Sequence, residues 1–192
     1  MLISSSTLLA WYREGIFPMS DAERDEISLY SPDPRGIIDL HEFHVPMSLA
    51  KTLRSGKFEI RIDTAFREVL RGCAAREETW ISPSIAISYI RLHDLGYAHS
   101  VESWMNGVLA GGLYGVSLGG AFFGESMFTL LRDASKAALV ALVDRMKRNG
   151  MTLLDTQYVT PHLSKFGARE IPRNEYMSRL GKAIEMPDLF SS

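Results

Sequence analysis

The sequence predicts a mixed α/β fold in which helices pack on a sheet. Three observations carry that expectation. Strand-length runs of alternating polarity interleave with helix-length amphipathic runs along the 192 residues. Asn106–Gly107 stands between two long apolar stretches, and a two-residue hairpin turn of that type needs positive φ at both positions. Hydrophobic residues make up 46% and charged residues 23%, an ordinary globular balance that excludes a disordered chain, a collagen-like repeat and a coiled coil.

The elements follow in order. Ser6 can cap a helix to about Glu14, closed by Gly15. Residues 16–45 carry Pro18, Pro32 and Pro34; a residue ahead of proline avoids helical backbone, so this stretch reads as a lobe or lid. Residues 47–54 form a short helix ended by Gly56, and residues 58–62 alternate as a strand with one wet face. Asp63 is expected to cap a helix to Ala74. Ser82 followed by Pro83 is a helix start, cap first and proline at the first helical position. Residues 99–105 and 108–118 pair through the Asn106–Gly107 turn, and Gly119–Gly120 turns into a third strand, 121–128. Asp133 is expected to cap a long helix with Gly150 past its end. A strand over 152–159, a short helix over 160–166 and a last helix opened by Pro172 complete the chain.

The net charge of −2 excludes a bulk nucleic-acid binder. The charge is nonetheless segregated. Residues 21–40 carry a balance of −4, whereas residues 45–72, with Lys51, Arg54, Lys57 and Arg61, and residues 161–183 each carry +3. Cys73 is the one cysteine, so no internal disulfide forms. His41-Glu42-Phe43-His44 brings its second histidine one residue too close for a zinc helix, and no metal or cofactor is expected. The opening segment lacks the basic region of a signal peptide, and no stretch reaches the roughly 18 apolar residues of a membrane span. A cytoplasmic protein is expected.

Two strands carry polar groups in apolar settings. Alternation puts Phe123, Glu125 and Met127 on one face, and a carboxylate there is costly to bury unpaired. Leu153, Asp155, Gln157 and Val159 share a face of a later strand, with two hydrogen-bonding groups near its C-terminal end, where ligands of open α/β sheets gather. A structural ion pair or a bond to backbone amides for Glu125, and a turn cap by Asp155, are the plain alternatives. Trp80 follows an acidic loop, Arg76–Thr79, and serves either as a lobe anchor or as a stacking platform for a base.

The element order resembles the GNAT acyltransferase fold. The turn before its central helix reads Phe128-Thr129-Leu130-Leu131-Arg132-Asp133-Ala134-Ser135-Lys136, without the glycines whose amides hold the coenzyme A pyrophosphate. The donor expected from such a turn is not acetyl-CoA.

Eight separated blocks then point further: Gly15-Ile16-Phe17-Pro18, Ser31-Pro32-Asp33-Pro34-Arg35, Thr79-Trp80-Ile81, residues 95–102, Gly111-Gly112-Leu113-Tyr114-Gly115-Val116, Phe123-Gly124-Glu125-Ser126-Met127-Phe128, Ala134-Ser135-Lys136 and Leu154-Asp155-Thr156-Gln157. In this order they are similar to the bacterial leucyl/phenylalanyl-tRNA–protein transferases. The resemblance implies a small N-terminal lobe over residues 1–36 and a GNAT-like aminoacyltransferase domain over 37–192. It implies transfer of leucine, phenylalanine or methionine from aminoacyl-tRNA to proteins with an N-terminal Arg or Lys, creating an N-degron, by a protein expected to be monomeric.

Residue by residue, the resemblance implies a catalytic pair, Asp155 and Gln157, with Glu125 beside the aminoacyl group. Leu113, Phe122, Gly124, Met127 and Leu154 fall in the segments of its side-chain pocket. Trp80 matches an aromatic contact at the tRNA 3′ end, and Met19 stands where longer members carry a tryptophan for the same adenosine. Lys51 and Arg54 fall in a tRNA-binding patch that Lys57 and Arg61 extend. Asp155 is expected to orient and polarise Gln157, whose carbonyl holds the attacking amine. A GNAT-type N-acetyltransferase and a non-catalytic tRNA-binding module are the alternatives; the second has no need of three polar groups on pocket-facing strands.

Overall fold

The computed structural model describes residues 2–21, 26–75 and 79–191. Residues 22–25, near the start of the acidic stretch, and the loop residues Arg76, Glu77 and Glu78 lie outside the described residues. The main sheet is built from β3 (Arg35–Ile38), β4 (Glu59–Ile62), β5 (Ala98–Met105), β6 (Val108–Leu118), β7 (Ala121–Thr129), β8 (Leu153–Gln157) and β9 (Ala168–Ile171). Its strand order is β4-β5-β6-β7-β8-β3-β9. Only β7 and β8 pair in parallel; the other pairs are antiparallel. A separate hairpin joins β1 (Phe17–Asp21) to β2 (Glu26–Tyr30). The mixed α/β expectation holds.

Helices cover both faces. α1 (Ser5–Arg13), α3 (Phe66–Ala74), α4 (Pro83–Asp94) and α7 (Arg173–Ile184) bury Leu8, Val69, Tyr89 and Leu180 in one core cluster. α2 (Met47–Arg54) and α5 (Ala134–Arg148) bury Leu49, Leu139 and Leu142 in the other, with Phe166 following the short α6 (Pro161–Ser164). Successive strand residues part to opposite clusters: Ile37 from Ile38, and Leu153 from Leu154. A strand buried on both faces reads as one long apolar run, which explains why β6 is buried from Ala110 to Leu118. Among the described residues no helix is long and apolar enough to cross a membrane.

The turn at Asn106–Gly107 takes φ of 52° and 76°, as its type requires. The Ser82 hydroxyl caps α4 by accepting from the Ile85 amide. Three expected caps differ. Ser4, not Ser6, caps α1 through the Thr7 amide. Asp63 sits at φ 58° and turns its carboxylate to His99 Nδ1 (2.7 Å) and the Ser100 amide (2.8 Å), while α3 starts after Ala65 without a side-chain cap. Asp133 does stand at the N-cap of α5, but at φ 73° its carboxylate is on Lys136 (2.8 Å) and Thr52 (3.4 Å) and makes no capping bond. In both aspartates the left-handed backbone points the carboxylate away from the amides of the following turn. The reading of residues 16–45 as lobe or lid is also corrected at its centre, because β3 is buried throughout and lies between β8 and β9.

Candidate active site

The site begins where β7 and β8 stop pairing. Their register runs as far as Phe123 against Asp155. On the other side of β7, Tyr114 pairs with Ser126 and Gly115 with Gly124, so Glu125 is the extra residue of a β-bulge. A Cβ at Gly115 would lie 2.2 Å from the Phe123 carbonyl oxygen, so only glycine lets β6 close on the bulge. The bulge resets the alternation. Phe123 and Glu125 both meet Tyr12 of α1, whereas Met127 packs with the opposite cluster. The expected common face for Phe123, Glu125 and Met127 is corrected accordingly.

A cavity of about 360 Å³ opens at this point. Leu113, Met127, Leu139, Leu142 and Leu154 give it apolar walls, and Gly124, Glu125 and Gln157 line it as well. Met19 and Trp80 line the same cavity, joined through Ser20, whose amide and hydroxyl both donate to the Trp80 carbonyl. Phe122 is not in this wall. It is fully buried and stacked on Phe190 at 5.2 Å, in the core cluster to which α5 contributes.

Glu125 is nearly buried and collects three donors. The Tyr12 hydroxyl donates to Oε1 (2.7 Å), the Tyr89 hydroxyl to Oε2 (3.1 Å) and Gln157 Nε2 to Oε1 (3.0 Å). Burial pushes the Glu125 carboxyl up to about 7, and the three hydrogen bonds, which favour the ionised form, restrain the rise. Burial first, and then the Glu125 charge, hold both tyrosines well above their ordinary value, so they remain donors. With Nε2 committed to Glu125, the acceptor end of the Gln157 amide is the one turned away from the carboxylate.

The pH dependence has a definite sign. Between pH 4.5 and about 7 the folded protein keeps a proton on Glu125 that the unfolded chain has released, so stability falls as pH rises through that window. Glu125→Gln, neutral throughout, is expected to remove this contribution, which is of order 3 kcal/mol. Urea unfolding of both proteins at either end of the window checks it; identical pH slopes contradict it.

Asp155 is fully buried and fully used. Arg35 Nε and Nη2 donate to its two oxygens (2.9 and 2.7 Å), the Tyr176 hydroxyl to Oδ2 (2.6 Å) and the Gln157 amide N–H to Oδ1 (2.8 Å). A carboxylate has about four acceptor positions, and four donors occupy them. Asp155 therefore grips the main chain of Gln157 rather than polarising its side chain, which corrects the expected contact. The grip matters because Gln157 sits at φ 64°, a conformation that side-chain-bearing residues adopt at a cost. Gly36 permits the turn, since a Cβ there would lie 2.6 Å from the Tyr158 carbonyl carbon. Arg35 itself is 1% exposed, lies over the rings of Phe17 and Tyr176, and donates through Nη1 to the Gly15 carbonyl (2.8 Å).

Lys51 and Arg54 are exposed on α2, and Lys57 is exposed just after it, with Nζ on the Arg132 carbonyl (3.2 Å). Arg61 differs: its fork closes on Glu59 (2.8 and 3.0 Å) and its guanidinium lies over Trp104, so its charge is compensated within β4.

Sequence reasoning missed Tyr12, Tyr89, Arg35 and Tyr176. Tyr12 and Tyr89 stand on apolar helix faces, and a buried tyrosine hydroxyl needs a partner, which was a usable signal. It also missed His162, which lines the cavity. Burial, then Lys136 and Lys165, lower the His162 imidazole from its ordinary value, which favours its neutral form.

A family model described as leucyl/phenylalanyl-tRNA protein transferase matches residues 37–181, and one for the N-terminal domain of that family matches residues 1–33. The leucyl/phenylalanyl-tRNA–protein transferase of Phenylobacterium zucineum is 57% identical over 94% of this chain and 84% of its own. That of Herpetosiphon aurantiacus is 54% identical over 98% of each. Among solved structures, L-PGS from Bacillus licheniformis aligns with a TM-score of 0.44 and 12% identity over 85% of this chain and 56% of its own. With matches along nearly its whole length, the chain belongs to the leucyl/phenylalanyl-tRNA–protein transferase family and is an aminoacyltransferase.

Proposed function

We propose that this protein transfers leucine, phenylalanine or methionine from aminoacyl-tRNA to the N-terminal Arg or Lys of an acceptor protein, marking it with an N-degron, as a cytoplasmic monomer. The observation that carries the reading is the Gln157 amide, held by Glu125 in the wall of an apolar cavity. The aminoacyl side chain fills the apolar part, and the terminal adenosine lies against Trp80 and Met19. Gln157 Oε1 accepts a hydrogen bond from the α-amine of the acceptor and holds it toward the ester carbon. The N–C bond forms, the ester C–O bond breaks, and the proton lost by nitrogen goes to the departing ribose oxygen. The ester is already activated and an α-amine has a pKa of roughly 7.7–8.0, so orientation supplies most of the catalysis. Asp155, with no free acceptor position, keeps the Gln157 backbone in place. The direct test is transfer of radiolabelled leucine from leucyl-tRNA to a peptide starting with Arg; absence of labelled peptide contradicts the reading.

Met127 sets one wall of the side-chain cavity, and its flexible thioether adapts to leucine, methionine or an aromatic ring. Met127→Ala is expected to shift the Leu:Phe:Met preference toward Phe, measured by competition between charged tRNAs. An unchanged ratio removes Met127 from the pocket. Valine and isoleucine, branched at Cβ, are expected to be poor donors with either protein.

Lys51 and Arg54 neutralise tRNA phosphates. Their joint replacement by alanine is expected to weaken tRNA binding and to reduce the slope of log K against log salt by roughly 0.7–0.9 for each phosphate left without its cation. A slope equal to that of the wild type places the phosphate-binding cations elsewhere.

A further inference from the structure

A second cavity, of about 490 Å³, adjoins the first and shares Met127 and His162 with it. Its volume falls in the range of about 300–1,000 Å³ typical of small-ligand sites. Gly72 and Ala75 at the end of α3, Phe128 and Leu130 at the end of β7, and Ser135 at the start of α5 complete the wall. Among the described residues that wall carries no acidic or basic side chain other than His162.

Among the described residues, cations stand beside this cavity. The β7–α5 loop that gives Leu130 to the wall also carries Arg132, whose side chain is 86% exposed. Lys57 lies on the Arg132 carbonyl, and Thr52 of α2 reaches Asp133, which brings the helix bearing Lys51 and Arg54 alongside. The carboxylate of that loop, Asp133, is already engaged by Lys136 and Thr52. Two further features link this cavity to the first. Ala75 precedes Trp80 by five residues, and each lines one of the two cavities. His162 Nε2, in the shared wall, is buried and has no hydrogen-bond partner among the described residues.

We infer that the second cavity receives the base of the cytidine that precedes the aminoacylated adenosine in the donor tRNA, with its phosphate on Lys57 and Arg132. The inference rests on the transferase reading and extends it by one nucleotide. An apolar recess with an aromatic ring under a cationic edge is the pattern that takes an unpaired base and its phosphate. An acceptor peptide starting with Arg or Lys meets the opposite charge pattern, cations beside the cavity and no described carboxylate in the wall.

The test compares two minimal donors, 3′-O-leucyl-adenosine and 3′-O-leucyl-cytidylyl-adenosine, with leucyl-tRNA as reference and an Arg-initiated peptide as acceptor. The expected result is a kcat/KM roughly ten- to a hundredfold higher for the dinucleotide with the wild type. Ala75→Phe, which fills the cavity from an exposed helix end, is expected to bring the ratio of the two donors near one while leaving the adenosine donor unchanged. Leu130→Ala, at a residue 71% exposed, is expected to lower the ratio in part. Equal use of both donors by the wild type overturns the inference and leaves the transferase reading standing. So does a variant that affects both donors alike, or one that changes only the saturation by acceptor peptide. A wild type that uses no donor, leucyl-tRNA included, overturns both.

Discussion

Gln157→Ala is expected to lower kcat by about 10²–10³-fold with little change in donor affinity, a loss typical of removing one preorganised polar group at the reacting centre. The argument is geometric. Glu125 takes the donor end of the amide at 3.0 Å, and Asp155 takes the residue's own N–H at 2.8 Å, so both the side chain and the backbone of Gln157 are fixed before substrate arrives. An acceptor fixed in that way costs no reorganisation when the amine attacks. Single-turnover transfer with saturating leucyl-tRNA reads kcat, and a filter-binding titration reads donor affinity. Equal losses in both show that Gln157 serves binding alone.

The largest stability effect belongs to Arg35. Arg35→Ala leaves the Asp155 carboxylate buried with no cation, and breaking a buried ion pair from one side costs about 3–5 kcal/mol. The substitution also removes the shorter of two hydrogen bonds to the Gly15 carbonyl, leaving that of the Ser31 hydroxyl, and the cation between Phe17 and Tyr176, so it loosens the junction of α1, the hairpin and α7. For a chain of this size each kcal/mol lowers Tm by roughly 2–4 °C, so a fall of about 10 °C is expected. Arg35→Met combined with Asp155→Leu leaves no unpaired charge and is expected to recover part of the stability while remaining inactive. Urea unfolding of the three proteins decides the matter. A single-variant loss below about 1 kcal/mol contradicts the assignment of Arg35 as the partner that fixes Asp155.

Much of the frame was legible because it rests on local chemistry. Ser82–Pro83 announces a helix start, and Asn106–Gly107 announces a turn, since few other residues satisfy those backbones. The capping bonds expected of Asp63 and Asp133 were misread because residue type does not reveal a left-handed φ; the Asp63 carboxylate goes to His99 and Ser100, and that of Asp133 to Lys136 and Thr52. β3 was hidden by its brevity and by the prolines before it, although it joins the sheet between two later strands. Glu125, Asp155 and Gln157 could be picked out because a strand rarely carries polar groups among apolar neighbours. Which of them touch was not legible. The bulge at Glu125 changes the face of every later residue on β7, and Tyr12, Tyr89 and Arg35 come from elements far away in the chain.

The hydrogen bond between Glu125 and Gln157 is the centre of the account, and a double-mutant cycle on single-turnover leucine transfer tests it most directly. Glu125→Gln, Gln157→Ala and the combined protein are compared with the wild type at saturating leucyl-tRNA. If Glu125 acts by aiming the Gln157 amide, the combined protein loses no more activity than Gln157→Ala alone. If the two losses multiply, Glu125 and Gln157 act separately, and the arrangement proposed for peptide-bond formation is wrong.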